Sequence, residues 1–287
     1  MSNLISLKPI CKRKLKSGEY IVLSEHSDPI VVDAEIVAIL ELETFNCDNY
    51  HSEFIEILDE SGFFEPTEGL DYFKERTTKK WRIARKGLLL IGNISLISII
   101  VSIFFIGIPT GDKLISKEMA IESNLGFIFG FSIVTTGIHE LMHIIFANSW
   151  KKIKIGVKVT ITKATVTVAM SHIWVWSFLS RFAAISAGLI FDLCLLAVLS
   201  YAQFFYDSKF LPIASAVLWI RILWQLQFQK RNDGQFLVST SIDEPTAEFN
   251  LVTENHIVKK ITILGYFISL LLIVFWFLPF IYQLVLK

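Results

Sequence analysis

Cysteine is scarce in this chain of 287 residues, and net charge is absent. Cys11, Cys47 and Cys194 follow no metal-binding spacing, so we expect reduced thiols and no disulfide framework. Because 27 basic residues balance 27 acidic ones, the charge gives no indication of a nucleic-acid partner. The first 25 residues also lack a basic start followed by an apolar block. We therefore expect no targeting peptide and a cytoplasmic amino terminus.

Apolar residues, by contrast, are abundant. They make up 53% of the chain, with 24 phenylalanines and a mean hydropathy of +0.55, which is too apolar for an ordinary soluble domain. We expect a mainly α membrane protein, a polytopic helical bundle of about five transmembrane helices in the lipid bilayer. The predicted spans are residues 87–108, 125–147, 182–205, 211–228 and 261–285.

Basic residues predict how these spans are oriented. The linker 76–86 carries six of them before the first span, and Lys151, Arg181 and Lys230 flank later spans on the same predicted side. Since basic flanks mark the cytoplasmic side, we expect a multi-pass protein of the cell membrane whose carboxyl terminus lies outside. Asp192 and Arg221 then lie at similar membrane depth, and we expect them to pair because isolated charges there are costly.

Residues 1–75 are predicted to form a small cytosolic domain. Two β-rich runs, Tyr20–Leu23 and Pro29–Val32, flank a turn and predict a hairpin. Asp33 is a helix cap, and a second amphipathic helix follows and ends at Gly62. This order predicts a winged-helix-like α+β domain, used either for peptide recognition or only for packing.

A second β-rich segment interrupts the apolar spans. Residues 153–176 alternate apolar and polar side chains and predict a β-hairpin insertion that is too polar to cross a membrane. Its exposed edge would align an extended peptide as an added strand, or the hairpin would merely cap the bundle. His172, near its end, is either a further ligand or a packed interface residue.

The most informative motif lies in the second predicted span, at His139-Glu140-Leu141-Met142-His143. Residues four apart share a helix face, so His139 and His143 can bind one metal ion, with Glu140 beside it as a general base. Zinc suits two imidazole nitrogens and an open position for water. The alternative is a hydrogen-bonded pair of structural histidines.

A catalytic zinc also needs a third protein ligand. Asp233, in Asn232-Asp233-Gly234, is the best candidate, because aspartate supplies an oxygen and glycine lets the backbone turn closely. The basic residues just before it belong at the membrane surface, whereas His139 lies deeper. Either the following segment is re-entrant, or the fourth helix is shifted.

Over residues 125–240 the chain resembles the site-2 protease family of intramembrane zinc metalloproteases. The resemblance implies that His139, His143 and Asp233 bind zinc and that Glu140 is the catalytic base. Two positions depart from the family pattern. Asp192 stands where that family often has asparagine, in a segment without its proline, and Asn232 replaces the proline before the aspartate.

The amino-terminal domain resembles the PqqD-like domains that bind leader peptides. The combination is similar to the peptide zinc metalloproteases of the YydH type, which implies proteolysis of a small ribosomally made and modified precursor peptide for maturation or export. A peptide-modifying enzyme and an ABC-type exporter would be further partners. Two alternatives stay open: a non-catalytic membrane protein for peptide binding, export or immunity, and regulated intramembrane proteolysis of a membrane-bound regulator.

Overall fold

The structure, a computed structural model, describes residues 4–24, 29–42, 44–64, 74–150, 158–160, 163–165 and 170–285. The chain forms two compact units. The first joins Met1–Thr78 to Ala147–Arg181, and the second joins Lys79–Phe146 to Phe182–Lys287. The range Ala147–Arg181, which lies between the second and third predicted spans, is thus grouped with the amino-terminal residues.

The first unit is built on short antiparallel strands and two helices. Three strands form one sheet in the order β2-β3-β4, and β1 pairs with β5. A core of buried side chains lies between the strands and helices and includes Val22, Leu40, Phe45, Leu58 and Phe63. The elements are β1 Leu4–Ser6, β2 Ile10–Lys14, β3 Tyr20–Ser24, β4 Ile30–Val32, α1 Ala34–Leu40, β5 Thr44–Asn46 and α2 Ser52–Glu60.

The local signals in the sequence explain this order. The predicted hairpin is confirmed, because β3 pairs antiparallel with β4. Asp33 accepts a hydrogen bond from the Ile36 backbone N–H at 2.9 Å, and this caps α1. Gly62 follows α2 with a φ of 81°, a left-handed conformation that favours glycine.

Two short strands lie in the segment after the second long helix. They are β6 Lys158–Thr160 and β7 Lys163–Thr165, and they pair antiparallel as predicted. The rest of the predicted strand pattern falls largely outside the described residues. A 3₁₀ turn over Ser171–Val175 follows, and Trp174 packs against Leu15 and Ile21 of the first unit.

The second unit is helical. Among the described residues, four helices are long and apolar enough to cross a membrane, judged by length and composition. The last of them contains a π-helical turn at Ile273–Phe277. The helices are α3 Lys79–Ile106, α4 Ile121–Ala147, α5 Phe178–Ala202, α6 Phe210–Gln225, α7 Asp233–Ile242, α8 His256–Leu272 and α9 Leu278–Val285.

Small residues let α3 lie close against α5. A Cβ atom on Gly92 of α3 would lie only 2.8 Å from the Ile190 side chain of α5. The opposite face of α3 presents large apolar side chains, such as Leu90 and Phe104, which are 61% and 83% exposed. Such a face suits a lipid environment better than water.

The fourth predicted span was too long. The corresponding helix α6 has 16 residues and ends at Gln225, three residues before the predicted end. At 1.5 Å per residue it is about 24 Å long, shorter than a bilayer core of about 30 Å. The polar residues that follow it, together with a new helix at Asp233, stop the helix early.

Candidate metal centre

The two histidines of the motif lie one turn apart on α4 and face the interior of the second unit. Their ring centroids are 4.9 Å apart. His139 is 3% exposed and His143 is 1% exposed. The i, i+4 spacing thus directs both imidazoles towards the same buried point.

The Nδ1 atom of each ring is held by α5. His143 Nδ1 donates to the carbonyl oxygen of Ala184 at 2.9 Å. His139 Nδ1 lies 2.9 Å from Oδ2 of Asp192 and donates to that carboxylate. These bonds fix the rings so that both Nε2 atoms turn towards the centre.

Asp233 meets both Nε2 atoms there. Its Oδ2 atom lies 3.0 Å from Nε2 of His139 and 3.0 Å from Nε2 of His143. The two Nε2 atoms are 3.2 Å apart. The structure therefore brings together the three residues that the sequence nominates as ligands.

The start of α7 positions Asp233. The Asn232 side chain accepts from the Gln235 backbone N–H at 3.1 Å and donates to the carbonyl oxygens of Trp224 and Gln227. The Asp233 backbone N–H donates to Oε1 of Gln225 at 3.2 Å. Asn232 thus caps α7 and ties it to the end of α6, a role that proline could not fill.

Two glycines make room for these contacts. A Cβ atom on Gly234 would lie 2.0 Å from the Gln225 carbonyl oxygen, so α7 can approach α6 only at glycine. A Cβ atom on Gly188 would lie 2.5 Å from Nε2 of both His139 and His143. The absence of a side chain at Gly188 therefore keeps open the space beside both nitrogens.

The early end of α6 bears on how Asp233 reaches the histidines. Because α6 stops at Gln225, the chain turns before α7 and returns Asp233 to the two histidines. The fourth helix is thus shorter than predicted, and the segment after it forms a new helix; whether that segment is re-entrant stays a prediction.

No family model, curated protein or solved structure matches this chain. What the centre binds is therefore inferred from its own atoms. With both Nδ1 atoms donating, neutral imidazoles present two Nε2 lone pairs to the Asp233 carboxylate. Three electron-pair donors within 3.2 Å of one another repel unless a proton or a cation lies among them. The donor set fits a divalent cation, because ligand atoms on a tetrahedral zinc are roughly 3.3 Å apart.

Glu140 follows His139 on α4 and is partly buried. Thr136 and Ser132 precede it at intervals of four residues, so all three lie towards one side of the helix. Ser132 and Thr136 line an apolar cavity of about 340 Å³, whose wall also includes Val217 and Arg221 of α6.

The expected Asp192–Arg221 pair is confirmed: the Arg221 guanidinium binds both carboxylate oxygens of Asp192. The sequence analysis did not foresee that Asp192 also holds His139. Ala184, Gly188 and Asp192 are spaced four apart, so one face of α5 carries all three groups that meet the histidines. That spacing is the feature of the sequence from which these contacts could have been predicted.

His172 has the contacts of a packed residue. It is 2% exposed, and its Nε2 atom donates to the carbonyl oxygen of Ala147 at 2.7 Å. Its ring meets Trp176 edge-on, with centroids 5.3 Å apart. Burial raises the pKa of the Cys11 thiol, an effect that the charge of Lys74 only partly opposes.

Proposed function

We propose that this protein is an intramembrane zinc metalloprotease of the site-2 type. In this proposal it hydrolyses a peptide bond in a small precursor peptide at the cytoplasmic membrane. The observation that carries the proposal is the convergence of His139, His143 and Asp233 within 3.2 Å, with Glu140 as the next residue on the same helix. These are the groups that metal-assisted hydrolysis requires.

His139, His143 and Asp233 would hold the zinc. When bound, zinc supplies Lewis-acid chemistry, which lowers the pKa of water and polarises a carbonyl group. Glu140 takes a proton from the attacking water and passes it to the nitrogen of the leaving amine as the C–N bond breaks. The buried hydrogen bonds of His139 and His143 keep their rings oriented throughout.

The cavity beside α4 is the proposed approach for the substrate. Ser132 and Thr136 give its wall a polar strip, about two turns and one turn before Glu140 respectively. Leu125 and Val217 supply apolar wall, so an extended peptide with an apolar side chain next to the cleaved bond fits it. The polar strip also offers water a path towards Glu140.

The second unit supports the proposed membrane location. Four long apolar helices, with large exposed apolar side chains on their outer faces, favour a multi-pass protein in a bilayer. With the amino terminus in the cytoplasm, α3 runs outwards, α4 inwards and α5 outwards, and α6 ends within membrane depth. The helix formed by α8 and α9 then leads to a carboxyl terminus outside.

The winged-helix-like amino-terminal domain is proposed to hold the leader of the precursor. In its sheet β4 is a terminal strand by order, and a terminal strand can accept an extended peptide through its backbone. A peptide-modifying enzyme would act on the precursor first, and an ABC-type exporter would remove the product.

The test is mass spectrometry of small peptides in cells that make either the wild type or the Glu140→Gln variant. The amide keeps the size of the side chain but cannot accept the proton, so the shortened peptide should vanish while zinc content is unchanged. If the same peptides are present with both proteins, the protease assignment is wrong. A role in peptide binding, export or immunity would then be supported by export or survival that still requires the protein.

A further inference from the structure

Asp192 is a fully buried carboxylate with two kinds of partner. Its Oδ2 atom lies 2.9 Å from Nδ1 of His139 and 2.9 Å from Nε of Arg221. Its Oδ1 atom accepts from Nη2 of the same arginine. The side chain of Asp192 is 0% exposed, and that of Arg221 is 15% exposed.

Arg221 reaches further than this pair. Its Nη1 atom donates to Oγ1 of Thr135 at 2.8 Å and to Oγ1 of Thr136 at 3.3 Å. One guanidinium group of α6 therefore binds α5 through Asp192 and α4 through the two threonines. Gln225, one turn after Arg221 on α6, accepts from the Asp233 backbone N–H.

A purely structural ion pair does not account for this arrangement. A buried pair is often no more stabilising than apolar residues of the same volume. His143 is moreover oriented by a neutral acceptor, the Ala184 carbonyl. His139 is instead oriented by the carboxylate of Asp192, whose charge is balanced by Arg221 of α6. The arrangement links the orientation of His139 to the position of α6. The chain turns back after the end of α6 and brings Asp233 to the histidines.

We propose that Asp192 and Arg221 are positioning residues for the metal centre. Asp192 holds His139 with Nδ1–H donating and Nε2 free to bind. Arg221 stabilises the charged Asp192 and fixes the level at which α6 ends, and thereby the level of Asp233. This inference rests on the metal site of the proposed function, but not on the protease reaction.

The test measures zinc affinity of the full chain in detergent by competition with a chromophoric chelator, alongside thermal unfolding. Asp192→Asn removes the negative charge and replaces one carboxylate oxygen by an NH₂ group, a donor that would face either the guanidinium of Arg221 or the Nδ1–H of His139. Arg221→Met removes the guanidinium. We expect each substitution to raise the zinc Kd about 10–100-fold, which is the usual effect of removing a group that hydrogen-bonds to a metal ligand. The double variant should be little worse than either single one, since both act through the same contact.

Gln203→Leu is the matched control. Gln203 follows α5 and donates to Oγ of Ser215 on α6 at 2.9 Å, so it joins the same two helices away from the centre. The Gln203→Leu variant should have a lower melting temperature than the wild type and an unchanged zinc Kd. Arg221→Lys keeps the charge and should lie between the wild type and Arg221→Met, which preserves the test if the methionine variant does not fold.

An unchanged zinc Kd in folded Asp192→Asn and in the folded arginine variants, with only a lower melting temperature, would overturn the proposal. If the wild type binds no divalent cation, the positioning role and the metal site fall together. If zinc binds and Asp192→Asn weakens it, yet no peptide is cleaved, the positioning role stands and the protease assignment falls.

Discussion

At the scale of single residues, the space beside the two Nε2 atoms exists because Gly188 has no side chain. Its α-carbon faces both imidazoles, and any side chain would enter the gap where a cation would be held. Close packing in a protein interior leaves little room for the helices to separate in compensation.

Gly188→Ala should therefore lower zinc affinity at least tenfold, because the added methyl group would lie within 2.5 Å of both nitrogens before relaxation. Gly137→Ala on α4 is the control, since nothing lies within 4 Å of a Cβ atom there. Chelator competition on the purified variants measures the difference. Equal affinity in the two variants would show that the space beside Gly188 is not where metal binds.

The sequence predicted the three nominated residues of the candidate centre, but not the residues that hold them in place. Spacing alone brings His139 and His143 together, because α-helix geometry is regular. The prediction of Asp233 depended on the need for a third ligand and on the turn potential of Asn-Asp-Gly, and the family resemblance agreed with it. The contact between Asp192 and His139 was not predicted, because it depends on the rotation of α5 against α4, which hydropathy does not specify.

At the scale of elements, the start of α7 carries the third nominated ligand. Asn232→Ala removes a helix cap worth about 1 kcal/mol and also the bonds to the end of α6. We expect a lower melting temperature and a several-fold weaker zinc Kd. Asn255→Ala removes the corresponding cap of α8, where Asn255 accepts from the backbone N–H groups of Ile257 and Val258.

The Asn255 variant should lose similar stability and keep its zinc affinity. If both variants bind zinc as the wild type does, the cap of α7 does not position Asp233. Both measurements use the same detergent-purified protein, so the comparison between the two caps is direct.

The cavity wall on α4 makes a second prediction at this scale. Ser132→Phe should fill the cavity and reduce cleavage of peptides with a large apolar residue next to the cleaved bond, about tenfold or more, by raising KM. Ile133→Phe is the matched control, because Ile133 is 71% exposed and does not line the cavity. Cleavage profiles from a proteome-derived peptide library should differ between the two variants, and identical profiles would exclude the cavity as a substrate site.

Elements with strong local signals were predicted well. Turn residues and the Asp33 cap gave the β3–β4 hairpin and α1, and apolar spacing gave α2. Strand β2 was missed because its Lys-Arg-Lys run carries no alternation of apolar residues. The length of α6 was overestimated because Leu226 and Phe228 extend the apolar pattern beyond Gln225. The polar residues among and after them end the helix, and Asn232 caps a new one.

For the whole molecule, hydropathy predicted the helical class, whereas the grouping of the chain into units was not predicted. Long apolar runs require α-helices in a bilayer, so composition was sufficient for that inference. The association of residues 147–181 with the amino-terminal unit depends on packing, such as that of Trp174 on Ile21, which has no sequence signature.

The proposed topology predicts opposite labelling of two exposed lysine positions. In a cysteine-free background, Lys117→Cys in the loop before α4 should react with a membrane-impermeant maleimide added to intact cells. Lys16→Cys in the amino-terminal domain should react only after the membrane is opened. The reverse pattern would show the opposite orientation, and labelling of both sites in intact cells would contradict a membrane crossing by α3, which lies between them.

The central claim is that Glu140 and a bound metal hydrolyse a peptide bond, and water labelled with ¹⁸O tests it most directly. Purified wild type and Glu140→Gln, matched for zinc content, would be incubated with a proteome-derived peptide library in labelled water. We predict new carboxyl termini carrying ¹⁸O with the wild type, their loss after chelation, and none with the variant. Labelled termini formed equally by both proteins, or by neither, would contradict the account.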